Sequence, residues 1–486
     1  MYQKATIEKY EKQYKKIATR EWLKGKLDTS LDALYHCSAL QHLFNFQLVD
    51  EQIESLLSDI SKKTYDKIVY MPKECIMFYD SIALSNQGLS MQYLHALTKI
   101  NNNLVYIINA KNASEKAEQL IAFANEHSVD LHIIDEPKCC KAESINFIRK
   151  LIKKYQPKDI FLHLSNADVY AYVAFDNING ATKYFINHGD EQFWVGTNIL
   201  DYCIEFRGMG KDASVRYRGL NERQCKVIPY YPIIKKQEFQ GFDFIIPETA
   251  VKIFSGGRFV KVYGENGKFL DIVGNILRKH KNVVFIFAGS GNKKPMLEYV
   301  SQNKFEDRWI VIPYRTDLLE VLKRMDIYLG TYPQAGGLMA QYAAVAGLPI
   351  VEMDTKNGGV TEDILPNIGE GVITFDSWDT YYDQIDLLVE NEPYRKNLAK
   401  RIKTANITED EFCASIRNLL EQRNSNYSIV HRDINLDLRS ERLLDAENNY
   451  LHRVPGIICN KMMLRYYPIT AIKNFCKYIL YNIFFG

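Results

Sequence analysis

The sequence predicts an α/β chain in which two Rossmann-like, doubly wound domains follow one another, with a helical N-terminal extension and a basic, aromatic C-terminal tail. At about 150 residues per domain, its 486 residues leave room for about three units, or two large ones with extensions. Short apolar runs alternate with longer segments of helical periodicity, the texture of βα units. Such alternation implies right-handed crossovers and a parallel sheet covered on both faces. The rhythm stops at Ile228-Pro229-Tyr230-Tyr231-Pro232, stays broken through Pro247 and then restarts, so two sheets are expected. Tandem domains of this kind face each other across a cleft and offer ligands the carboxyl ends of their strands.

Residues 1–65 read as the helical extension, with Tyr10, Tyr14 and Ile17 on a helical spacing and a helix pair ending near Ser61. The first domain, 66–232, is expected to hold strands at 75–79, 104–108, 131–134, 160–164, 184–186 and 203–206, with helices such as 115–126 and 143–155 between them. The second, 248–378, is expected to hold strands at 251–255, 283–288, 309–312, 327–329, 349–352 and 372–374. Its helices carry apolar faces: Phe269, Ile272, Val273 and Ile276 fall at i, i+3, i+4 and i+7, as do Leu318, Val321, Leu322 and Met325. Closing helices at 380–390 and 393–423 fill the segment 379–425, and 426–486 forms the tail.

Hydrophobic residues make up 47% and charged residues 25%, a globular rather than disordered composition. The 61 Lys and Arg against 59 Asp and Glu leave a formal charge of +2, so no global field points to nucleic acid. The nine cysteines show no Cys-x-x-Cys spacing, which fits a reducing compartment. The N-terminus, MYQKATIEKYEKQYKK, has charges where a secretory signal needs an apolar run, and no uncharged apolar stretch of 18 residues exists for a span. A cytoplasmic location is expected. There is no Asp-x-Asp and no zinc-type His and Cys spacing, so no metal is expected.

Residues 326–350 read DIYLGTYPQAGGLMAQYAAVAGLPI. A strand ends near Leu329, a loop delivers Gly336 and Gly337, and a small-residue helix runs to Ala346. Glycine lets backbone approach a ligand, and free N–H groups at a helix start favour an anion. The loop therefore suits a phosphate or diphosphate, although a plain tight turn reads the same. The pattern, ending in Ala-Gly-Leu-Pro-Ile-Val, resembles the glycosyltransferase-B (GT-B) superfamily over roughly residues 70–425. The resemblance implies that Gly336 and Gly337 hold the diphosphate of a nucleotide-sugar donor. The stretch Phe254-Ser-Gly-Gly-Arg-Phe-Val-Lys261 matches the family's glycine-rich first loop and adds Gly256, Gly257, Arg258 and Lys261 to that site. In the turn VIPYRTD at 311–317, Tyr314 is the candidate to stack on the nucleobase and Asp317 to cap the next helix. Many retaining members carry two glutamates separated by seven residues, and these positions here are Gln334 and Tyr342. Gln334 can still hydrogen-bond a sugar hydroxyl, but the retaining assignment loses its support. Gln341 lies about 100° round the helix from Tyr342 and is a weak substitute for the ribose contact.

In the first domain, residues 184–207 read YFINHGDEQFWVGTNILDYCIEFR, with polar groups crowded behind an apolar strand. His188 is the candidate general base, and Asp190 or Glu191 the group that orients it. The stretch resembles a His-x-Asp-x-x-Phe-Trp-Leu-Gly motif of some bacterial GT-B enzymes and, more distantly, the protein O-GlcNAc transferase class. Asp80, Asn86, Gln87 and Gly88 sit between a strand and a helix, either on the acceptor side of the cleft or in an ordinary βα loop. Arg207 either contacts the donor phosphate or pairs with Glu205.

The resemblance implies an enzyme: a metal-independent glycosyltransferase, inverting rather than retaining. It would move a sugar from a nucleotide-diphosphate sugar to a hydroxyl of a glycan, lipid-linked or protein acceptor in bacterial capsule, lipopolysaccharide or other surface-glycan assembly. No cofactor beyond the donor is implied. Alternatives on the same fold are a protein glycosyltransferase, a nucleotide-sugar 2-epimerase, a polyol-phosphate transferase or a non-catalytic nucleotide- or glycan-binding protein. The tail segment 461–486 carries Lys461, Arg465, Lys473 and Lys477, no acid, and many apolar and aromatic residues. It is expected either to lie on an anionic membrane surface, at the inner face, or to pack back on the N-terminal domain, with Pro468 interrupting a single helix.

Overall fold

The computed structural model describes residues 2–83, 88–109, 113–134, 142–234, 237–354, 361–368, 372–425, 427 and 431–485. Two parallel sheets organise it. The first has seven strands, β1 (Lys73–Asp80), β2 (Leu104–Asn109), β3 (Asp130–Ile134), β4 (Pro157–His163), β5 (Thr182–Ile186), β6 (Tyr202–Glu205) and β7 (Cys225–Val227), in the order β3-β2-β1-β4-β5-β6-β7. The second has six, β8 (Val251–Arg258), β9 (Val283–Ser290), β10 (Trp309–Ile312), β11 (Ile327–Leu329), β12 (Ile350–Met353) and β13 (Thr374–Phe375), in the order β10-β9-β8-β11-β12-β13. In each sheet the order reverses beside the first strand, which creates the crevice where doubly wound folds bind ligands. β2 is buried along its whole length, as helices on both faces of a parallel sheet require.

The heavy use of Tyr and Phe finds its reason in the first sheet. Tyr106, Phe78, Phe161, Tyr184 and Tyr202 occupy matched positions on five neighbouring strands. Phe78 stacks on Tyr106 at 5.1 Å, Phe161 on Tyr184 at 4.9 Å and Tyr184 on Tyr202 at 5.6 Å between ring centroids. Cross-strand aromatic pairs of this kind fix register as well as adding area.

Each expected strand is present, with ends displaced by a few residues. The three-residue β7 and the short pair Ile68–Val69 with Ile178–Asn179 had no periodicity to reveal them. Two expected helices are broken. The one at 115–126 divides at Ala117. The one at 393–423 divides into Glu392–Ile402 and Glu409–Gln422, because Thr408 and Glu411 form a capping box that starts a new helix.

The N-terminal extension is three helices, α1 (Lys4–Leu23), α2 (Leu27–Phe44) and α3 (Glu51–Thr64), whose apolar residues join the core of the first sheet. α4 (Gly88–Ile100) follows β1, α5 (Gly208–Arg218) follows β6 and α6 (Gly337–Ala346) follows β11. α7 (Glu409–Gln422) returns from the second domain to the first. There Phe412 meets Tyr93 edge-on at 5.2 Å, and Arg423 lies over Tyr184 within 3.4 Å of Asp159. α8 (Leu436–Ala446) follows, then α9 (Lys461–Tyr466) and α10 (Pro468–Phe485), which break at Tyr467 before Pro468. α10 packs back on α1: the Tyr10 hydroxyl donates to Asn474 Oδ1 at 3.0 Å. Among the described residues no helix is long and apolar enough to cross a membrane.

Candidate active site

The connection between the sheets is held by helices from both domains. Gln341 Nε2 of α6 donates to the Tyr230 carbonyl at 2.6 Å, the Tyr342 hydroxyl donates to the Ile233 carbonyl at 3.0 Å, and the Gln92 amide of α4 donates to the Tyr231 carbonyl. The starts of α4 and α6 meet across the cleft: a Cβ on Gly88 would lie 3.3 Å from Leu338. This corrects the expectation for Gln341 and Tyr342. The face of α6 that carries them turns to the interdomain connection, where the donors of both side chains are taken up by backbone carbonyls and Gln341 Oε1 is buried.

The expected donor loops come together at the ends of β8 and β11. A Cβ on Gly256 would lie 2.8 Å from the Ala288 carbonyl of β9, and Gly257 has φ +141°, so both positions demand glycine. Lys261 Nζ donates to the Ala335 carbonyl at 3.0 Å and so ties the first loop to the loop before α6. Burial lowers its pKa, and it lies within Coulombic range of Glu191 and Arg207 from the opposite domain. Arg258 is exposed, with no hydrogen bond or ion pair among the described residues. Gly336 is the N-cap of α6 and no side chain caps that helix. A Cβ on Gly337 would come within 2.7 Å of Ile364 and 3.0 Å of the Tyr230 hydroxyl. Gln334 is partly exposed in this loop, and its backbone carbonyl accepts from Thr331 Oγ1 at 2.6 Å. Tyr314 stands 59% exposed after β10. Asp317 does not cap the following helix with its side chain. It takes both arms of Arg315 at 2.7 Å and the Gln240 N–H at 2.8 Å, anchoring the interdomain segment.

In the first domain, His188 follows β5. Its Nε2 is 3.2 Å from Asn166 Oδ1, and Asn166 Nδ2 donates to the Phe193 carbonyl at 2.9 Å. That second bond fixes the amide, so Nε2 carries the proton and Nδ1, which has no partner, keeps its lone pair. Burial, with His163 and His42 adding to it, pushes the imidazole down to about 3, so the ring is neutral. Asn166 had no motif to announce it.

The carboxylates expected to orient His188 do not reach it. Asp190 is forked by Arg207, through Nε to Oδ2 and Nη2 to Oδ1 at 3.1 Å. Burial opposes the Arg207 charge, but Asp190 outweighs it and holds the guanidinium pKa above its usual range. Glu191 pairs with Arg439 of α8 at 2.8 Å and with Arg207 at 3.6 Å. Arg207 thus pairs with Asp190 rather than Glu205. Asp80 is equally occupied: it accepts from the N–H groups of Ile82 and Ala83 at 2.9 and 2.8 Å, from the Tyr106 hydroxyl at 3.1 Å, and meets His163 Nδ1 at 3.1 Å. It closes the turn after β1 and is fully buried, so it presents no free oxygen to an acceptor. Gly88 opens α4, and Asn86 and Gln87 lie outside the described residues.

Two features escaped the sequence reading. Glu352 on β12 is 3% exposed, and burial pushes its carboxyl up to about 8 against the opposing pull of Arg207. The Thr361 hydroxyl donates to it. A lone acid in the apolar run Pro349-Ile-Val-Glu-Met353 was the available signal, since a strand covered on both faces leaves a charge no water. The second feature is the segment 431–446, which bridges the domains. The Arg432 N–H donates to Asp212 Oδ2 of α5 at 2.8 Å while its guanidinium reaches Asp354 at 3.1 Å, and Arg442 pairs with Glu265.

Residues 236–405 match the family model of glycosyl transferases group 1. No curated protein sequence matches the chain. Among solved structures, it resembles the Thermobaculum terrenum O-GlcNAc transferase at TM-score 0.55 and 14% identity, over 90% of this chain and 83% of that one. It resembles Anabaena HepE, solved in complex with UDP and glucose, at TM-score 0.53 and 12% identity, over 72% of this chain and 100% of that one. The lipopolysaccharide outer core galactosyltransferase WaaB gives TM-score 0.53 and 12% identity, over 72% and 100%. With two sheets of 3-2-1-4-5-6 order, the first extended by a seventh strand, meeting at a cleft, the chain has the GT-B fold, and its second domain matches the glycosyl transferases group 1 model.

Proposed function

We propose that the protein transfers a sugar from a nucleotide-diphosphate donor to a hydroxyl acceptor with inversion at the anomeric carbon. The observation that carries this reading is the link from Lys261 to the Ala335 carbonyl, which sets a cation beside the uncapped start of α6. A diphosphate placed there meets Lys261, Arg258 and the N–H groups behind Gly336 and Gly337, so its negative charge is stabilised as it departs. Tyr314 offers a face to the base and Gln334 an amide to the sugar. The acceptor oxygen forms a bond to the anomeric carbon as the bond to the diphosphate oxygen breaks, and the electron pair leaves with the diphosphate. The acceptor proton passes to Nδ1 of His188. A ring with so low a pKa is a weak base, but the acceptor hydroxyl becomes strongly acidic once its oxygen bonds carbon, so the transfer occurs late in the same step.

The acceptor in this reading is a glycan, lipid-linked or protein hydroxyl. The structural likeness to WaaB makes bacterial surface-glycan assembly the first setting to test. Incubation with a panel of nucleotide sugars, followed by anomeric analysis of the product, is expected to give the inverted configuration with one donor. A retained configuration overturns the mechanism. Nucleotide-dependent thermal stabilisation without any turnover or hydrolysis would mark a binding protein instead.

A further inference from the structure

α10 is amphipathic in the reverse of the usual sense. Its inward side is small and polar: Ala471 and Asn474 are buried, Asn474 accepts from the Tyr10 hydroxyl, and Gln13 Nε2 donates to Thr470 Oγ1 at 3.4 Å. Its apolar side faces outward. Ile469, Ile472, Cys476 and Ile479 recur at i, i+3, i+7 and i+10 with Phe475 beside them, and all are exposed, Ile469 by 82%. Lys473 and Lys477 flank this stripe. Leu464 and Arg465 of α9 extend the exposed surface, and Arg20 of α1 reaches over the Tyr466 ring at 5.4 Å, which places the exposed Leu23 one turn further along α1.

No acidic residue follows Glu447, and Lys461, Lys473 and Lys477 make no ion pair among the described residues. A helix that turns isoleucine and phenylalanine to solvent and keeps asparagine inside has its apolar face matched to something other than its own core. The unopposed cations decide what that partner is. A second copy of this chain would bring the same positive charges against them, whereas an anionic bilayer supplies both an apolar interior and negative headgroups.

We infer that α9 and α10 dock this protein on an anionic lipid surface, with Ile469, Ile472, Phe475 and Ile479 inserted at the acyl boundary and Lys461, Arg465, Lys473 and Lys477 at the headgroups. This surface lies on the N-terminal helical layer, apart from the cleft, and does not rest on the donor chemistry. The helix lies in the interface rather than spanning it.

The test is co-sedimentation of the full chain with phosphatidylcholine vesicles, with and without phosphatidylglycerol. Binding is expected only with phosphatidylglycerol, and weakened by salt. The K473E/K477E variant is expected to lose about fivefold in affinity per reversed cation or more. I469S/I472S/I479S is expected to lose more than tenfold, because each apolar anchor is removed. All five positions are exposed, and an unchanged melting temperature confirms that each variant folds. Absence of binding to phosphatidylglycerol vesicles overturns the inference, as does binding unaffected by both variants. Dimers in solution that the serine variant dissociates, with vesicle binding intact, would also overturn it and assign the face to a second copy.

Discussion

Replacing Glu352 by Gln removes a titrating group whose folded and unfolded states differ strongly in proton affinity. The carboxyl has an ordinary value of 4.5 and is pushed up to about 8 in the fold. Between those values the folded protein holds a proton that the unfolded chain releases, so stability falls as pH rises through that window. Below 4.5 the carboxyl is protonated in both states and its contribution is fully present. Gln is neutral throughout and nearly isosteric, and it can still accept from Thr361. The variant should therefore match the parent near pH 4 and become progressively more stable above it. At 1.36 kcal/mol per unit the advantage reaches about 3 kcal/mol at pH 7 and levels off above pH 8. For a domain of this size that is a shift in melting temperature of about 6–12 °C. Thermal melts of both proteins in matched buffers across pH 4 to 9 measure the difference directly and cancel every other titrating group. Parallel curves would refute the reasoning, because a constant offset reports altered packing rather than a buried charge.

His188→Ala is expected to lower kcat by about 10²–10⁴-fold while leaving nucleotide-induced thermal stabilisation intact. Asn166→Ala should lower kcat to a lesser degree, since it frees the ring tautomer without removing the base. Lys261→Met should weaken nucleotide-diphosphate binding by about 1.5–3 kcal/mol, read by calorimetry, with little effect on a nucleoside lacking phosphate. Asp190→Asn leaves the buried Arg207 without its main counter-charge and should cost about 3–5 kcal/mol in denaturant unfolding. The double variant that also replaces Arg207 by Met should recover much of that loss.

The α/β class and the order of its elements were legible in local pattern, because strand and helix periodicities are properties of neighbouring residues. The glycine-rich loops were legible for the same reason. Gly256 and Gly337 sit where a Cβ would meet backbone or side chain within 3 Å, and that demand leaves a mark at one position of the sequence. Where the expectation failed, the contacts were long-range. Asp190 and Glu191 lie two and three residues from His188, and nearness along the chain suggested a shared site. Their partners come instead from Arg207 and from Arg439, far along the chain, because a buried carboxylate binds the nearest guanidinium in space. Gln341 and Tyr342 likewise looked free until the connection between the domains folded against α6.

The neutral composition also resolves into parts only in three dimensions. The sequence alone already placed a basic, aromatic stretch after Glu447 and predicted that Pro468 would divide it. Which side of that stretch faces the protein was settled by Tyr10 and Gln13, whose hydrogen bonds draw Asn474 and Thr470 inward and leave the isoleucines outside. Backbone periodicity and glycine are local constraints and can be read residue by residue. Pairing of charges and the choice of buried face depend on which distant groups arrive alongside, and that is a property of the folded chain.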